Sequence, residues 1–536
     1  MSYMKHLFTF LFLFVVVINS YAQRNVILII ADDLGTDYCG FYENHIDTCN
    51  MPNVRRLLSK GVRFKNAWSN PLCSPTRAGI LTGRYSFRTG VGNAIGGPGS
   101  AVLDTAEVSI PRLLNIYKPN GIAKANIGKW HLHLSTPNAN YNFPYILGYD
   151  RYEGCFSGVL SSYTNWTKIT NGVAANNTNY ATTETANNAI DWVKTQNKPF
   201  FLWLAFNAPH TPFHLPPIGL HSYTSLSGTA ADINANPKLY FKAAVEAMDH
   251  EIGRIFDSLQ AFQKWDSTDI IFIGDNGNDA LVAQNTGGAK GSVYQEGVNV
   301  PFIISGPSVV NPMRSSEALV NTQDLFATII ELFGYTNWAT QIPANKPVDS
   351  KSLLPIIKNT AIDTRPWAFT EVFKVPTVAG DGKAMRNKEY KLIDFDNGTQ
   401  KFYKVITDPL ENTDLLKGTL SADAIVNYNY LCNEMNTLIG SGSFCNYSIG
   451  ISGIENVNQS IVIFPNPSNS IITFDFSLEQ TNTTIKITNI LGQEIKTITF
   501  TGKQLTIDKG NMEAGIYCVQ FTDKNFNIVN KKIIIQ

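Results

Sequence analysis

Within five residues, Cys73-Ser74-Pro75-Thr76-Arg77 combines a thiol, a helix-starting proline and a cation. Pro75 suits a first helical turn, where its missing N–H costs nothing, and the residues to Leu81 can continue the helix. Cys73 therefore falls at or just before a helix N-terminus. Free N–H groups and the helix dipole there favour an anion and lower a thiol pKa. Arg77 lies four residues on, on the same helix face. A reactive side chain, a helix start and a fixed cation together suit a small tetrahedral anion. Taken alone, a cysteine in such a place is more often a buried thiol that packs as a small hydrophobe.

Other chemistry-bearing residues follow short apolar runs. Asn25 to Ile30 is an unbroken, β-branched-rich run that reads as a strand buried on both faces, and Asp32-Asp33 follows it. Ile122 to Ile127 ends in Gly128-Lys129-Trp130-His131. Phe200 to Phe206 leads into Pro209-His210, and Asp269 to Ile273 into Gly274-Asp275-Asn276-Gly277. Ligands of open α/β sheets bind at the carboxyl ends of strands. The Gly287-Gly288-Ala289-Lys290 loop can bring a further cation. Singly, each has an ordinary explanation: an Asp pair as a turn or helix cap, a surface His, a mobile Lys. Asp249, His250 and Glu251 are consecutive on a predicted helix over 240–262 and point in different directions, which argues against a metal site there.

The twelve residues from Cys73 through Thr82-Gly83-Arg84 resemble the signature of the type I, formylglycine-dependent sulfatases, a branch of the alkaline phosphatase-like superfamily. Gly-Lys-Trp-His at 128–131, Pro209-His210 with Thr211-Pro212-Phe213-His214, and Asp275-Asn276-Gly277 extend the resemblance over roughly residues 24–340. It implies an α/β fold: a large, mostly parallel sheet flanked by helices, then a small α+β subdomain with an antiparallel sheet. It implies that Cys73 is converted to formylglycine, whose hydrate is the nucleophile. It also implies a Ca²⁺ ion held by Asp32, Asp33, Asp275, Asn276 and an oxygen of residue 73; an all-oxygen set suits Mg²⁺ as well. By the same resemblance Arg77, Lys129, His131, His210 and Lys290 are catalytic. Arg77 activates the nucleophile, Lys129 and Lys290 hold sulfuryl oxygens, His210 protonates the leaving alcohol and His131 deprotonates the second hydroxyl. His214 is expected as a substrate contact, with packing an equal alternative.

These residues sit in a chain of 536, of which 44% are hydrophobic and 16% charged, as in a soluble protein with large cores. A formal net charge of zero gives no general case for nucleic acid or membrane surface. Residues 1–22 read as a signal peptide: Lys5, an apolar run from Leu7 to Ile18, and Ser20-Tyr21-Ala22. No second run approaches the ~20 apolar residues of a membrane span, so an exported chain without a transmembrane segment is expected. Besides Cys73 there are Cys39, Cys49, Cys155, Cys432, Cys445 and Cys518, which permits disulfides in an oxidising compartment. Cys39 with Cys49, and Cys432 with Cys445, are near enough to close small loops, but connectivity stays open.

The expected organisation is a catalytic domain over 23–344, its C-terminal subdomain over 345–450, a linker over 451–459 and a small β-sandwich over 460–536. In the last stretch short alternating strands are separated by turns. Phe464-Pro465-Asn466-Pro467 and Gly515-Ile516-Tyr517 resemble the C-terminal sorting domain of type IX-secreted proteins, with a carbohydrate-binding module as the alternative. The long Asn-, Thr- and Tyr-rich stretch from Asp150 to Thr182 reads as loops.

The function expected is a secreted or cell-surface sulfatase, passing through the periplasm, that acts on a sulfated, algal-type polysaccharide or its oligosaccharides. Its partners would be that carbohydrate, a formylglycine-generating maturation enzyme and the secretion machinery. A phosphate or phosphonate ester hydrolase of the same superfamily, and a non-catalytic glycan-binding protein, are the competing readings.

Overall fold

A computed structural model describes residues 24–440 and 461–536, apart from residues 44, 46, 98, 137–138, 379, 490–492 and 523–527. The expected signal peptide, the linker and Cys445 lie outside the described residues. The chain divides into two compact units, Met1–Cys445 and Asn446–Gln536.

The first unit is built on a ten-stranded sheet. In chain order its strands are β1 (Asn25–Asp32), β2 (Gly61–Trp68), β3 (Ala123–Gly128), β4 (Arg151–Gly154) and β5 (Trp166–Thr170). They continue as β6 (Val173–Asn177), β7 (Phe200–Pro209), β8 (Thr268–Gly274), β9 (Phe302–Ser305) and β10 (Arg314–Asn321). The spatial order is β10-β2-β9-β8-β1-β7-β3-β4-β5-β6. β9 and β5 run against their neighbours, and β1 is parallel to both β7 and β8.

Every residue of β1 is buried, and alternate residues feed opposite cores. Val26, Leu28 and Ile30 face one side, covered by α1 (Cys73–Thr82), α2 (Ile110–Tyr117) and α5 (Asp324–Leu332). Ile27, Ile29 and Ala31 face the other, covered by α3 (Ala181–Lys194) and α4 (Pro237–Ala261). This two-sided burial is why β1, β7 and β8 read as unbroken apolar runs. Asp249 on α4 accepts backbone N–H bonds from Asn53 and Val54 at 3.0 and 2.8 Å, so it caps a neighbouring helix.

The stretch 150–182 departs from the expected loops. It holds β4, β5 and β6, which extend the sheet as a parallel strand and a short antiparallel ribbon. Its Asn and Thr content concealed them, because β6 is largely exposed and has no apolar alternation. Beyond α5, a four-stranded antiparallel sheet, β11 (Ala368–Val372), β12 (Gly382–Arg386), β13 (Lys391–Phe395) and β14 (Gln400–Tyr403), packs with α6 (Ala422–Ile439).

In the second unit five antiparallel strands enclose one core that includes Ile472, Phe474, Ile485, Val519 and Phe521. Two separate strands are predicted over 471–490, but a single long strand, Ile471–Asn489, runs through both with breaks in register. Its long partner, Glu494–Asp508, has no counterpart in the expected set, since most of its side chains are exposed.

Candidate active site

The carboxyl ends of β1, β3, β7 and β8 converge where α1 begins. Cys73 is the first residue of α1, after Leu72 in extended conformation, and Gly83 closes the helix at φ 71°. Gly128 at the end of β3 has φ 105°, and a Cβ there would lie 1.9 Å from the Ala205 carbonyl oxygen. A side chain is thus excluded at the turn that delivers Lys129 and His131. Asp33 and His131 themselves hold positive φ, 64° and 56°, a strain typical of functional positions.

Three buried carboxylates, Asp32, Asp33 and Asp275, meet three cations. Lys129 Nζ donates to both oxygens of Asp32 at 2.9 and 2.6 Å. Arg77 donates through Nε and Nη2 to Asp275 Oδ2 at 3.1 and 2.8 Å, and through Nη1 to the Lys129 carbonyl at 3.0 Å. Lys290 Nζ donates to Asp33 Oδ2 at 2.7 Å. The Asp33 backbone N–H donates to Asp275 Oδ1 at 3.0 Å, and Asn276 Nδ2 donates to Asp33 Oδ1 at 2.8 Å. These links lock the two acidic strand ends together.

Cys73 Sγ is 3.1 Å from His131 Nδ1. His131 Nε2 lies 2.8 Å from the Ile95 carbonyl oxygen, which can only accept. The ring proton therefore resides on Nε2, and Nδ1 presents a lone pair to residue 73. Burial and the nearby Lys129 charge hold the His131 pKa well below the usual histidine value, so the ring is a neutral base. Ile95 and Gly158 were not legible as site residues. Ile95 acts through its backbone, and a Cβ on Gly158 would meet His131 Nε2 at 2.3 Å.

His210 stands at the rim. Its Nδ1 lies 2.8 Å from the Thr211 carbonyl, and its Nε2 is 3.0 Å from Lys290 Nζ and 3.6 Å from Asp33 Oδ2. Tyr163, which sequence also gave no reason to select, donates to the carbonyls of Asn207 and His210 at 2.6 and 2.8 Å. The His210 and Lys290 side chains keep 13% and 16% exposure, whereas Asp32, Arg77, Lys129 and Asp275 keep none, so the open side of the site is here.

His214 lies apart from the cluster. Its Nδ1 is 3.0 Å from the Pro212 carbonyl, its Nε2 is 3.0 Å from Tyr180 Oη, and its ring stacks on Tyr163 at 3.8 Å. Both ring nitrogens are thus engaged within the protein.

The donor set suits a hard cation. One atom each of Asp32, Cys73 and Asp275 lies within 4.8 Å of the others, as does one atom each of Asp32, Asp33 and His210. Asn276 Oδ1 is buried beside them with no hydrogen-bond partner. Burial and the charge of Asp275 push Asp32 up to about 7 despite Lys129, so the cluster has room for further positive charge. Asp275 is held below its ordinary value, because Arg77 and Lys129 outweigh burial. Carboxylate and amide oxygens are the ligands of Ca²⁺ and Mg²⁺.

Comparison with known proteins places a sulfatase family profile over residues 24–335. The chain belongs to the sulfatase family. The sulfatase also matches the C-terminal region of N-sulphoglucosamine sulphohydrolase over 289–437, and a secretion system C-terminal sorting domain over 462–536. It is 29% identical over 384 residues to the N-acetylgalactosamine-6-sulfatase of Homo sapiens, covering 64% of this chain and 67% of that protein. It is 25% identical over 417 residues to the steryl-sulfatase of Homo sapiens, covering 63% and 70%. Its fold resembles the crystal structure of Ps i-CgsB with a TM-score of 0.65 at 23% identity, covering 80% of this chain and 96% of that one. A structure of BT4656 in complex with D-glucosamine-2-N,6-O-disulfate gives 0.61 at 20%, covering 80% and 100%.

The sulfatase is therefore a hydrolase of sulfuric esters. Its C-terminal domain marks it for secretion or for the cell surface. Among the described residues no helix is long and apolar enough to cross a membrane.

Proposed function

We propose that this secreted sulfatase removes sulfate from a sulfated polysaccharide or its oligosaccharides, using formylglycine made from Cys73 and a Ca²⁺ ion. The observation that carries the reading is the position of Cys73. It opens a helix, 3.1 Å from a neutral His131 and within reach of Asp32 and Asp275. The polymer is favoured by export, and by relatives and neighbours named for carbohydrate sulfates, such as N-acetylgalactosamine-6-sulfatase and the structure of BT4656 in complex with D-glucosamine-2-N,6-O-disulfate. Residues 23–344 would form the catalytic domain, 345–450 its subdomain and 460–536 the sorting domain.

Asp32, Asp33, Asp275 and Asn276 would hold the cation, together with an oxygen of residue 73. A bound Ca²⁺ supplies positive charge for the sulfuryl oxygens and lowers the pKa of the nucleophilic hydroxyl. Converted to formylglycine and hydrated, residue 73 supplies the attacking oxygen and later the second hydroxyl, whose deprotonation releases sulfate. Arg77 and the α1 N-terminus stabilise negative charge at residue 73, and Asp275 is placed to accept the first proton. Lys129 and Lys290 hold the sulfuryl oxygens where charge develops. His210 offers a proton to the leaving oxygen from the open side of the site. His131 Nδ1 takes the proton of the second hydroxyl.

Parallel turnover of aryl sulfate and aryl phosphate tests the ester class: sulfate turnover should dominate, and much faster phosphate turnover would overturn it. Release of inorganic sulfate from a set of defined sulfated algal and animal oligosaccharides tests the substrate class. Desulfation confined to aryl esters would remove the carbohydrate reading.

A further inference from the structure

We infer that Cys39 and Cys49 form a disulfide in the exported protein, a strap that closes the loop directly behind the acidic strand end. The two residues face each other in an isolated parallel β-bridge. The Cys49 N–H donates to the Tyr38 carbonyl at 2.9 Å, which fixes that register. Bridged residues of adjacent strands lie about 4.8 Å apart and point to the same side, inside the 4.4–6.8 Å Cα separation that a disulfide spans. Both side chains are buried in the same apolar core, at 0% and 5% exposure. In the register of the described strands and bridges, no other two cysteines oppose each other.

The enclosed loop follows directly on Gly35 and Asp37, which tie the Asp33 strand end to the segment after Asn276, and Gln284 extends that tie to Asp47 inside the loop. It begins six residues after Asp33. Within it, Tyr42 Oη donates to the Phe64 carbonyl at 3.0 Å and accepts the Phe302 N–H at 2.7 Å. Asp47 pairs with Lys242 at 2.5 Å. Gln284 Nε2 donates to the carbonyls of both Asp37 and Asp47 at 2.8 and 2.9 Å. Asn278, two residues past Asn276, donates to Asp37 and accepts the Gly35 N–H. A covalent tie at its neck would hold these contacts in register without touching the reacting groups.

The chemistry needs an electron acceptor, supplied by the dithiol-oxidising proteins of the export compartment. One thiolate attacks the protein disulfide and displaces one of its sulfurs as a thiol. The second cysteine then attacks the mixed disulfide. Two S–H bonds are lost and one S–S bond forms, while the oxidant takes up two electrons and two protons. Burial holds both thiols well above their ordinary pKa in the folded chain. Thiolate attack is therefore favoured before the loop is buried, during export.

The test is a peptide map of the full chain exported from a host with oxidising export, denatured and alkylated without reductant. Cleavage after Glu43 separates the two cysteines. The fragments carrying Cys39 and Cys49 should appear as one species that splits on reduction. Full alkylation of either residue without reductant, or linkage of either to another cysteine, would overturn the inference. In addition, the double variant C39S/C49S should melt about 3 °C below the parent and turn over aryl sulfate at the parent rate at 25 °C. Reductant should lower the parent's Tm to that of the variant and leave the variant unmoved; an equal shift in both would also count against the strap. The map reads thiols alone, so its failure is distinct from any failure of the sulfatase reading.

Discussion

His131 enters the site with its tautomer already chosen. The Ile95 carbonyl holds the Nε2 proton, and burial beside Lys129 keeps the ring neutral, so Nδ1 is a ready base at 3.1 Å from residue 73. Gly158→Ala, which drives a methyl into that ring, should lower kcat by at least tenfold with little change in Tm; unchanged kcat would show that the ring position is not critical. The role proposed for His210 is different. Its Nε2 sits between Lys290 and Asp33 on the open side, so His210→Ala should slow esters of poor leaving groups ~10²–10⁴-fold and activated aryl esters far less. Equal losses on both would remove it from the acid role. Of the residues proposed to carry the chemistry, Lys129, His131, His210 and Asp275 were visible in the sequence because they follow apolar runs, Lys290 because it ends a glycine-rich loop, and Cys73 and Arg77 because they flank a helix-starting Pro75; their roles came from the resemblance to sulfatase motifs. Ile95, Gly158 and Tyr163 were not visible, since they act through a backbone carbonyl, the lack of a side chain and a phenol aimed at carbonyls.

At the scale of elements, the strands deliver the acids, while the second, antiparallel sheet packs against Trp68 of β2 and the segment that follows Lys290. Lys391 on β13 stacks over Trp68 at 4.8 Å and pairs with Glu411 at 2.5 Å. Glu411 in turn accepts the Gln295 N–H at 2.6 Å, on the short helix that follows the Lys290 loop. On β11, Glu371 accepts the Phe87 N–H at 2.8 Å from inside the protein, where burial raises its pKa to about 7. A folded pKa above the unfolded 4.5 means that the neutral form is favoured on folding. Its contribution is complete below about pH 4.5 and is lost as pH rises through about 7, at most about 3 kcal/mol. Glu371→Gln keeps the acceptor and removes the titration. The variant's Tm should gain on the parent's as pH rises from 5 to about 8, and parallel Tm curves would contradict the shift. Elements of this kind divide sharply in legibility. β1, β7 and β8 announce themselves by two-sided burial. β6 does not announce itself, because an exposed, Asn-containing edge strand carries no apolar alternation, and β5 is five residues long with only Trp166 and Ile169 buried. In the second unit only the arm Glu494–Asp508 of the long hairpin is hidden, because most of its side chains are exposed.

For the whole molecule, a balanced set of three carboxylates and three cations becomes electropositive once a divalent ion is added, which suits an anionic substrate in an uncharged protein. Because such an ion binds only the folded chain, Ca²⁺ at a hundred times its Kd should raise stability by about 2.7 kcal/mol. Asn276→Ala, which removes the unpartnered oxygen, should shrink that rise in Tm and weaken reactivation after chelation. Equal Ca²⁺ responses in parent and variant would take Asn276 out of the cation site. The most direct test concerns residue 73. Mass spectrometry of the tryptic peptide 66–77, on preparations matured to different extents, measures the converted fraction alongside aryl sulfate turnover. Formylglycine at residue 73 in proportion to activity, with none in Cys73→Ala, is the expected result. Full activity from chains that retain the cysteine thiol would contradict it.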